Sequence, residues 1–234
     1  MRRPDLPYDA AVAQVARDAQ ANGWQVISDT AYPGYLEIPG QIMQGYTVLV
    51  DEALAQWPGR GRPSHAFIQC GVGGLAGAVC GHLWDTFGAA RPTFAAVEPT
   101  ASDCFFQSVR AGRPEPATGD LATRMTGLAC AELSLQAWPI LQSGADAAVL
   151  IPEAAAAPTI RLLARPAAGD PAIVAGASGC AGLAGLILVA QDPALARAAG
   201  LGPDSDVLVI GSEGATEPRA WRELTGVDPT EISR

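Results

Sequence analysis

Two kinds of block alternate along the chain: short runs of β-branched and aliphatic residues, and longer stretches whose apolar positions recur at roughly helical spacing. Residues 9–21 form the first helical stretch, with Ala10, Val12, Val15, Ala16 and Ala19 on one side and Gly23 placed to end it. Residues 24–28 then read as a short strand, and residues 28–39, carrying Pro33, Gly34 and Pro39, as a loop. Ile42, Leu49, Val50, Ala53 and Leu54 mark a helix over 40–57, stopped by Pro58 and Gly59. Residues 65–70 form a strand that runs into a glycine-rich turn and a helix to about Phe87. Further strands are expected at 93–98, 147–151 and 206–210. Helices are expected at 103–111, at 122–131, at 133–142 with a break at Pro139, at 153–164 despite Pro158, and from the turn at 176–179 to Ala190. This β–α alternation predicts an α/β protein, a mostly parallel sheet flanked by helices. There is no internal repeat. The opening helix, strand and long irregular connection read as the tail of a unit that begins elsewhere.

Composition supports a folded chain. Of 234 residues, 49% are hydrophobic and 17% charged, enough for one large domain or two small ones and unlike a disordered segment. No apolar run reaches the roughly 18 residues of a membrane span, and residues 180–190 make the longest one. The opening Met-Arg-Arg-Pro-Asp lacks an apolar run behind it, so no signal peptide and a cytoplasmic location are expected. The net charge of −9 and the scattering of the 15 basic residues argue against a nucleic-acid surface. All of those basic residues are arginine, and the chain has no lysine. Any step that needs a lysine amine lies beyond this chain alone. The five cysteines form no C-x-x-C pair and have no histidine pair nearby, so buried thiols are expected and a metal site is not.

The strongest local signal is the strand–loop–helix around Gly71, Val72, Gly73, Gly74 and Leu75. Glycines allow close approach of the backbone, and amide N–H groups at a helix start attract phosphate. A tight turn used only for packing is the bland alternative. Gly71, Gly73 and Ala76 satisfy G-x-G-x-x-G/A, and Glu98 ends the next strand near the place of a ribose-binding acid, so a dinucleotide site is the reading from the motif alone. A P-loop is excluded because its lysine is absent. Ser178 lacks the final glycine of G-x-S-x-G, and His65 and His82 read as ordinary side chains, which argues against a serine hydrolase. Asp29, among Tyr32 and Tyr35, reads equally as an acid facing a cleft or as a cap.

A longer ordered series is more selective. Asp29-Thr30-Ala31, Gly34-Tyr35, Ile38-Pro39 and Ile42-Met43-Gln44-Gly45-Tyr46 are followed by Gln69-Cys70-Gly71-Val72-Gly73, Val97-Glu98-Pro99, Asp103-Cys104, Gly127-Leu128-Ala129-Cys130, Ser178-Gly179 and Glu213-Gly214. From about Tyr8 onward this series resembles the diaminopropionate ammonia-lyases, pyridoxal-phosphate enzymes of fold type II. The resemblance implies a tryptophan-synthase-β-like large domain over 38–234, preceded over 1–37 by a remnant of the small domain. It implies a phosphate site at Gly71, Val72, Gly73, Gly74 and Leu75, a ring contact at Ser212, and a supporting catalytic role for Asp29. The implied reaction is α,β-elimination of a small amino-acid substrate, 2,3-diaminopropionate, to pyruvate and ammonia.

The resemblance covers only the later part of the family's chain. The portion with the Schiff-base lysine has no counterpart, so the chain alone should be inactive. Ala177 stands where related enzymes carry a glutamate, and Gly211 where they carry a Ser or Thr, with Ser212 beside it. Cys104 and Cys130 fall in matching segments; a bridge between them is compatible with the resemblance, and thiols are the state expected at cytosolic potential. Three explanations follow. The chain is one portion of a lyase completed by an N-terminal-half polypeptide, a non-catalytic descendant that binds a phosphorylated ligand or a partner, or a dinucleotide-binding protein. The uncovered sheet edge and apolar surface of such a portion also predict self-association or docking of the other half.

Overall fold

A computed structural model describes Leu6 and residues 8–58, 61–167 and 169–232. Four strands, β1 (His65–Gln69), β2 (Thr93–Pro99), β3 (Ala147–Ile151) and β4 (Val207–Val209), form one parallel sheet in the order β3-β2-β1-β4. Alternate side chains of each strand point to opposite faces, so two apolar layers form. Ala66 and Ile68 of β1, with Phe94 and Ala96 of β2, pack in one layer with Val79, Leu83 and Leu141. Phe67, Ala95 and Val97 pack in the other with Ile160, Ala181, Ala184 and Trp221.

Nine helices among the described residues flank the sheet: α1 (Tyr8–Asn22), α2 (Glu37–Ala55), α3 (Gly74–Phe87), α4 (Cys104–Ala111), α5 (Ala137–Gly144), α6 (Ala156–Ala164), α7 (Ala181–Gln191), α8 (Pro193–Ala199) and α9 (Pro218–Thr225). None is long and apolar enough to cross a membrane. The α2, α3 and α5 helices supply the first layer, and α6, α7 and α9 the second. The sheet therefore grows from β1 to β3 in one direction, and the chain returns over the other face to place β4 beside β1. Neighbouring connections leave in opposite directions from the carboxyl ends of β1 and β4, which is where an open parallel sheet forms a crevice.

Local chemistry explains the helix boundaries. Pro39, Pro139 and Pro158 each stand third in their helices, α2, α5 and α6, where a backbone N–H would have no intrahelical partner. Pro139 consequently sits in the first turn of α5 instead of breaking a helix over 133–142. Gly23, at φ +67°, follows the end of α1 as its sequence position suggests.

Two expected elements do not form. Residues 24–28 pair with no strand among the described residues; Trp24 is 64% and Ile27 71% exposed, and the Tyr35 hydroxyl occupies the Ser28 N–H and the Val26 and Ser28 carbonyls. Residues 122–131 hold only a short 3₁₀ turn, Thr126–Leu128. Side chains there replace the helical ladder: Ser102 Oγ donates to the carbonyls of Leu128 and Cys130 and accepts from the Cys130 N–H, while the Gly127 N–H donates to Ser178 Oγ. Cys104 is a thiol that donates toward Glu98 Oε1 at 3.6 Å, so no bridge to Cys130 is formed.

The contact of α7 with the sheet is close. A Cβ added at Gly182 would lie 2.4 Å from the Phe67 carbonyl oxygen, and one at Gly185 would lie 2.8 Å from both Val97 methyl carbons. Gly182→Ala is therefore expected to lower stability by about 1–3 kcal/mol, through forced separation of helix and strand. Urea unfolding that left the midpoint unchanged would contradict this packing.

Candidate functional site

The crevice at the carboxyl ends of β1 and β4 is a cleft of about 590 Å³. Gly71, Val72, Gly73, Gly74 and Leu75 form one wall, and Gly211, Ser212 and Glu213 form the opposite one. Asp29, Tyr46, Gly127 and Ser178 close the remaining sides. The sequence-derived residues thus meet in one place, drawn from both ends of the chain.

The glycine wall is built by steric exclusion. Gly73, at φ +89° and ψ 0°, turns the chain from β1 into α3, and its carbonyl accepts from the Gly77 N–H at 2.7 Å. A Cβ here would be strained by the backbone angle and would approach Ala137 Cβ to 2.9 Å. A Cβ at Gly71 would stand 3.1 Å from the Gly127 carbonyl oxygen and 3.2 Å from Cys130 Sγ. The first N–H groups of α3 have no intrahelical acceptor and open on the cleft, with the positive end of the helix dipole behind them. No arginine or histidine lines the cleft among the described residues; its charged groups are the carboxylates of Asp29 and Glu213. An anion there would have to be held by neutral donors, the helix-start N–H groups foremost.

Asp29 is fixed from both sides. Tyr8 of α1 donates to Asp29 Oδ1 at 3.2 Å and lies 2.8 Å from Thr30 Oγ1. The buried Ser134 then ties the Asp29 segment to the glycine wall: its Oγ accepts from the Ala31 N–H at 2.9 Å and its own N–H donates to the Val72 carbonyl at 2.9 Å. Sequence reasoning missed Ser134, because a lone serine before a helix carries no signal of what its hydroxyl reaches. Tyr46, in the Ile-Met-Gln-Gly-Tyr segment, was also not singled out. Burial first, and then the Asp29 charge, raises its phenol above the ordinary value, so it faces the cleft as a donor.

Across the cleft, Gln69 Nε2 donates to the Ile210 carbonyl at 2.8 Å and to Ser212 Oγ at 2.6 Å. Glu213 Oε2 accepts from the Ser178 N–H at 2.8 Å, and the Glu213 carbonyl from the Gly176 N–H at 2.8 Å. Glu213 thereby brings a carboxylate to the turn where Ala177 carries none. Ser178 Oγ is an acceptor for Gly127 and has no histidine partner among its hydrogen bonds. His65 lies between Ser64 and the Ala199 carbonyl, and His82 pairs with Asp51 at 2.7 Å; neither lines the cleft.

Glu98 does not line the cleft either. It is fully buried, and its two oxygens accept from the N–H groups of Phe105 and Phe106 at 2.8 Å, capping α4 from within. The strand end that a dinucleotide site would use therefore presents no acid to the crevice.

The fold is that of a pyridoxal-phosphate enzyme of fold type II. The chain matches the family model "Pyridoxal-phosphate dependent enzyme" over residues 4–213, and it belongs to that family, whose cofactor is pyridoxal phosphate. It is 39% identical over 224 residues to a diaminopropionate ammonia-lyase of Escherichia coli K12, covering 94% of this chain and 56% of that protein. A diaminopropionate ammonia-lyase of Salmonella typhimurium LT2 is 37% identical over 231 residues, with the same coverage. The crystal structure of the Escherichia coli enzyme with an aminoacrylate–pyridoxal-phosphate azomethine intermediate aligns at a TM-score of 0.88 and 38% identity, over 95% of this chain and 57% of that one. The chain thus spans little more than half the length of these relatives and corresponds to a C-terminal portion of them.

The residues present fit the cofactor in part. The bare glycine wall leaves helix-start N–H groups open to an anionic group such as a phosphate and Ser212 offers a hydroxyl across the cleft, but the sequence holds no lysine for a covalent link to the aldehyde.

Burial, the first cause, raises the Glu98 carboxyl to about 8, against an unfolded value near 4.5. Between these values the folded chain binds a proton that the unfolded chain releases, so stability falls as pH rises from about 4.5 to about 8, by at most about 1.4 kcal/mol per pH unit. Urea midpoints measured across that range should decline in the wild type and flatten in Glu98→Gln. Equal slopes in the two proteins would show that Glu98 is ionised in the fold.

Proposed function

We propose that this chain is the cofactor-gripping portion of an enzyme that eliminates ammonia from 2,3-diaminopropionate to give pyruvate, and that it needs a lysine-bearing polypeptide for turnover. The observation that carries the reading is the glycine wall, where Gly73 in a left-handed conformation aims helix-start amides into the cleft, opposite Ser212 and beside Asp29. Residues 1–37 and 38–234 are read as a small-domain remnant and the large domain.

Gly71, Val72, Gly73, Gly74 and Leu75 would hold the cofactor phosphate through N–H groups. Ser212 would contact the ring nitrogen. When bound, the cofactor supplies an electron sink for the charge left by removal of the α-proton. Asp29, held by Tyr8 and by the Ser134 tie, would hold a proton or a substrate ammonium at its carboxylate. Two carboxylates, with no cationic side chain lining the cleft among the described residues, suit a substrate that carries a second amine. A non-catalytic descendant is the second reading, favoured by the absence of lysine.

Pyridoxal phosphate should bind the isolated chain reversibly, and borohydride should fix no pyridoxyl group on any of its side chains. Gly73→Ala is expected to weaken that binding at least tenfold, since the wall must move or lose its amide geometry. Addition of a lysine-bearing first portion of a diaminopropionate ammonia-lyase should produce pyruvate from diaminopropionate. In that mixture Asp29→Asn should slow release about 10²–10⁴-fold. Tight cofactor binding without pyruvate in the mixture would select the non-catalytic reading, and no cofactor binding by the chain or by the mixture would remove the lyase reading.

A further inference from the structure

Ser134 is fully buried and joins three parts of the structure. Its N–H donates to the Val72 carbonyl and its Oγ accepts from the Ala31 N–H, each at 2.9 Å, while its own carbonyl accepts from the Ala137 N–H at the start of α5. Leu135 completes the hold on residue 31 by donating its N–H to the Ala31 carbonyl at 3.2 Å. Ala31 is itself buried, so without the Ser134 oxygen its N–H would lose its partner inside the protein. Asp29 stands two residues earlier, and its carbonyl oxygen lies 3.9 Å from the place of a Cβ on Gly74.

The bond to Val72 also sets the direction of a donor. The Val72 C=O and the Gly73 N–H belong to one trans peptide unit and point opposite ways. The carbonyl turns inward to Ser134. The N–H therefore turns outward, toward the cleft that Val72 and Gly73 both line, and it has no acceptor among the described residues. An anion that accepts from Gly73 polarises this peptide and strengthens the bond between its carbonyl and the Ser134 N–H. Residue 134 is then held more firmly, and with it the acceptor for Ala31.

We propose that Ser134 is a positioning residue that couples the two sides of the cleft: an anion seated on the glycine wall tightens the Asp29 segment through the Val72–Ser134–Ala31 chain of hydrogen bonds. This rests on the cofactor reading above. Asp29 comes into fixed register when the wall is occupied and is held more loosely when it is empty.

The link to the wall is a backbone N–H and the link to Ala31 a side-chain oxygen, so Ser134→Ala cuts only the second. The probe is 4′-deoxypyridoxine 5′-phosphate, which carries the phosphate but no aldehyde, added to the full chain, or to its mixture with the lysine-bearing portion where only the mixture binds. Amide hydrogen exchange at Ala31 should slow about tenfold in the wild type when the probe saturates. In Ser134→Ala the probe should still bind, within about threefold of the wild-type affinity, while the slowing at Ala31 falls below about twofold. The Ile173 N–H, bonded to the Leu163 carbonyl in a segment that lines no part of the cleft, reports general loosening and should exchange alike in both proteins. If Ser134→Ala does not fold, Ser134→Cys replaces it, with a sulfur that accepts only weakly. A folded variant with the full slowing at Ala31 overturns the proposal, as does a saturated wild type with none. Loss of protection shared equally by Ile173 makes Ser134 a general stabiliser and overturns it too. All three leave the cofactor reading standing. A probe that binds neither the chain nor the mixture overturns that reading, and this inference with it.

Discussion

The turn from β1 into α3 is the constraint on which the remaining architecture depends. The chain must reverse from a buried strand into a buried helix while α5 presses on one side and the irregular 126–130 segment on the other. Ala137 Cβ and the Gly127 carbonyl occupy the space that side chains at 73 and 71 would need. Only bare backbone fits, and bare backbone is what leaves the helix-start amides uncovered. Packing alone thus requires a bare turn, and the proposed phosphate site would use the same bare turn. A residue large enough to fill the cradle would also separate α5 from α3.

The second wall depends on the sheet order. Because β4 lies next to β1, the loop after β4 arrives beside the glycine turn from more than a hundred residues away in sequence. β4 is only three residues long, and its ladder alone gives that loop few anchors. Gln69 and Glu213 supply others, one from each side of the cleft: the first holds Ile210 and Ser212, the second the turn at Gly176 and Ser178. Both fix the loop through hydrogen bonds to backbone groups.

What the sequence revealed follows the same division. All four strands, the glycine turn and the long helices are legible because period and punctuation express burial directly, as with Phe67 and Ile68 on alternate faces or Gly23 after α1. Residues 122–131 look helical by composition, yet Ser102 and Ser178 claim their backbone groups, and neither serine is near them in sequence. Residues 24–28 have strand composition but no neighbouring strand among the described residues. Pro139 shows that a proline's meaning depends on whether it falls in the first turn or the interior of a helix. Asp29, the glycine residues and Ser212 could be singled out from a motif and a resemblance. The partners Ser134, Tyr8 and Gln69 that hold this side of the site could not be, because each acts through a contact that only the fold creates.

The absence of lysine gives the cleft a particular electrostatic character. A phosphate held by backbone amides under the proposed reading meets no full positive charge from the residues lining the cleft, and the carboxylates of Asp29 and Glu213 lie in the same cleft. Under the proposed reading, any amine that enters is drawn toward its protonated form, which binds well but attacks a carbonyl poorly. The arrangement favours recognition of an ammonium and leaves its activation to another base. A substrate with two amines meets both demands, because one can stay charged against a carboxylate while the other gives up its proton. The same field would act on a lysine brought in by a second polypeptide. That amine would be held close to the cleft by attraction and would need its own desolvated pocket to become a nucleophile.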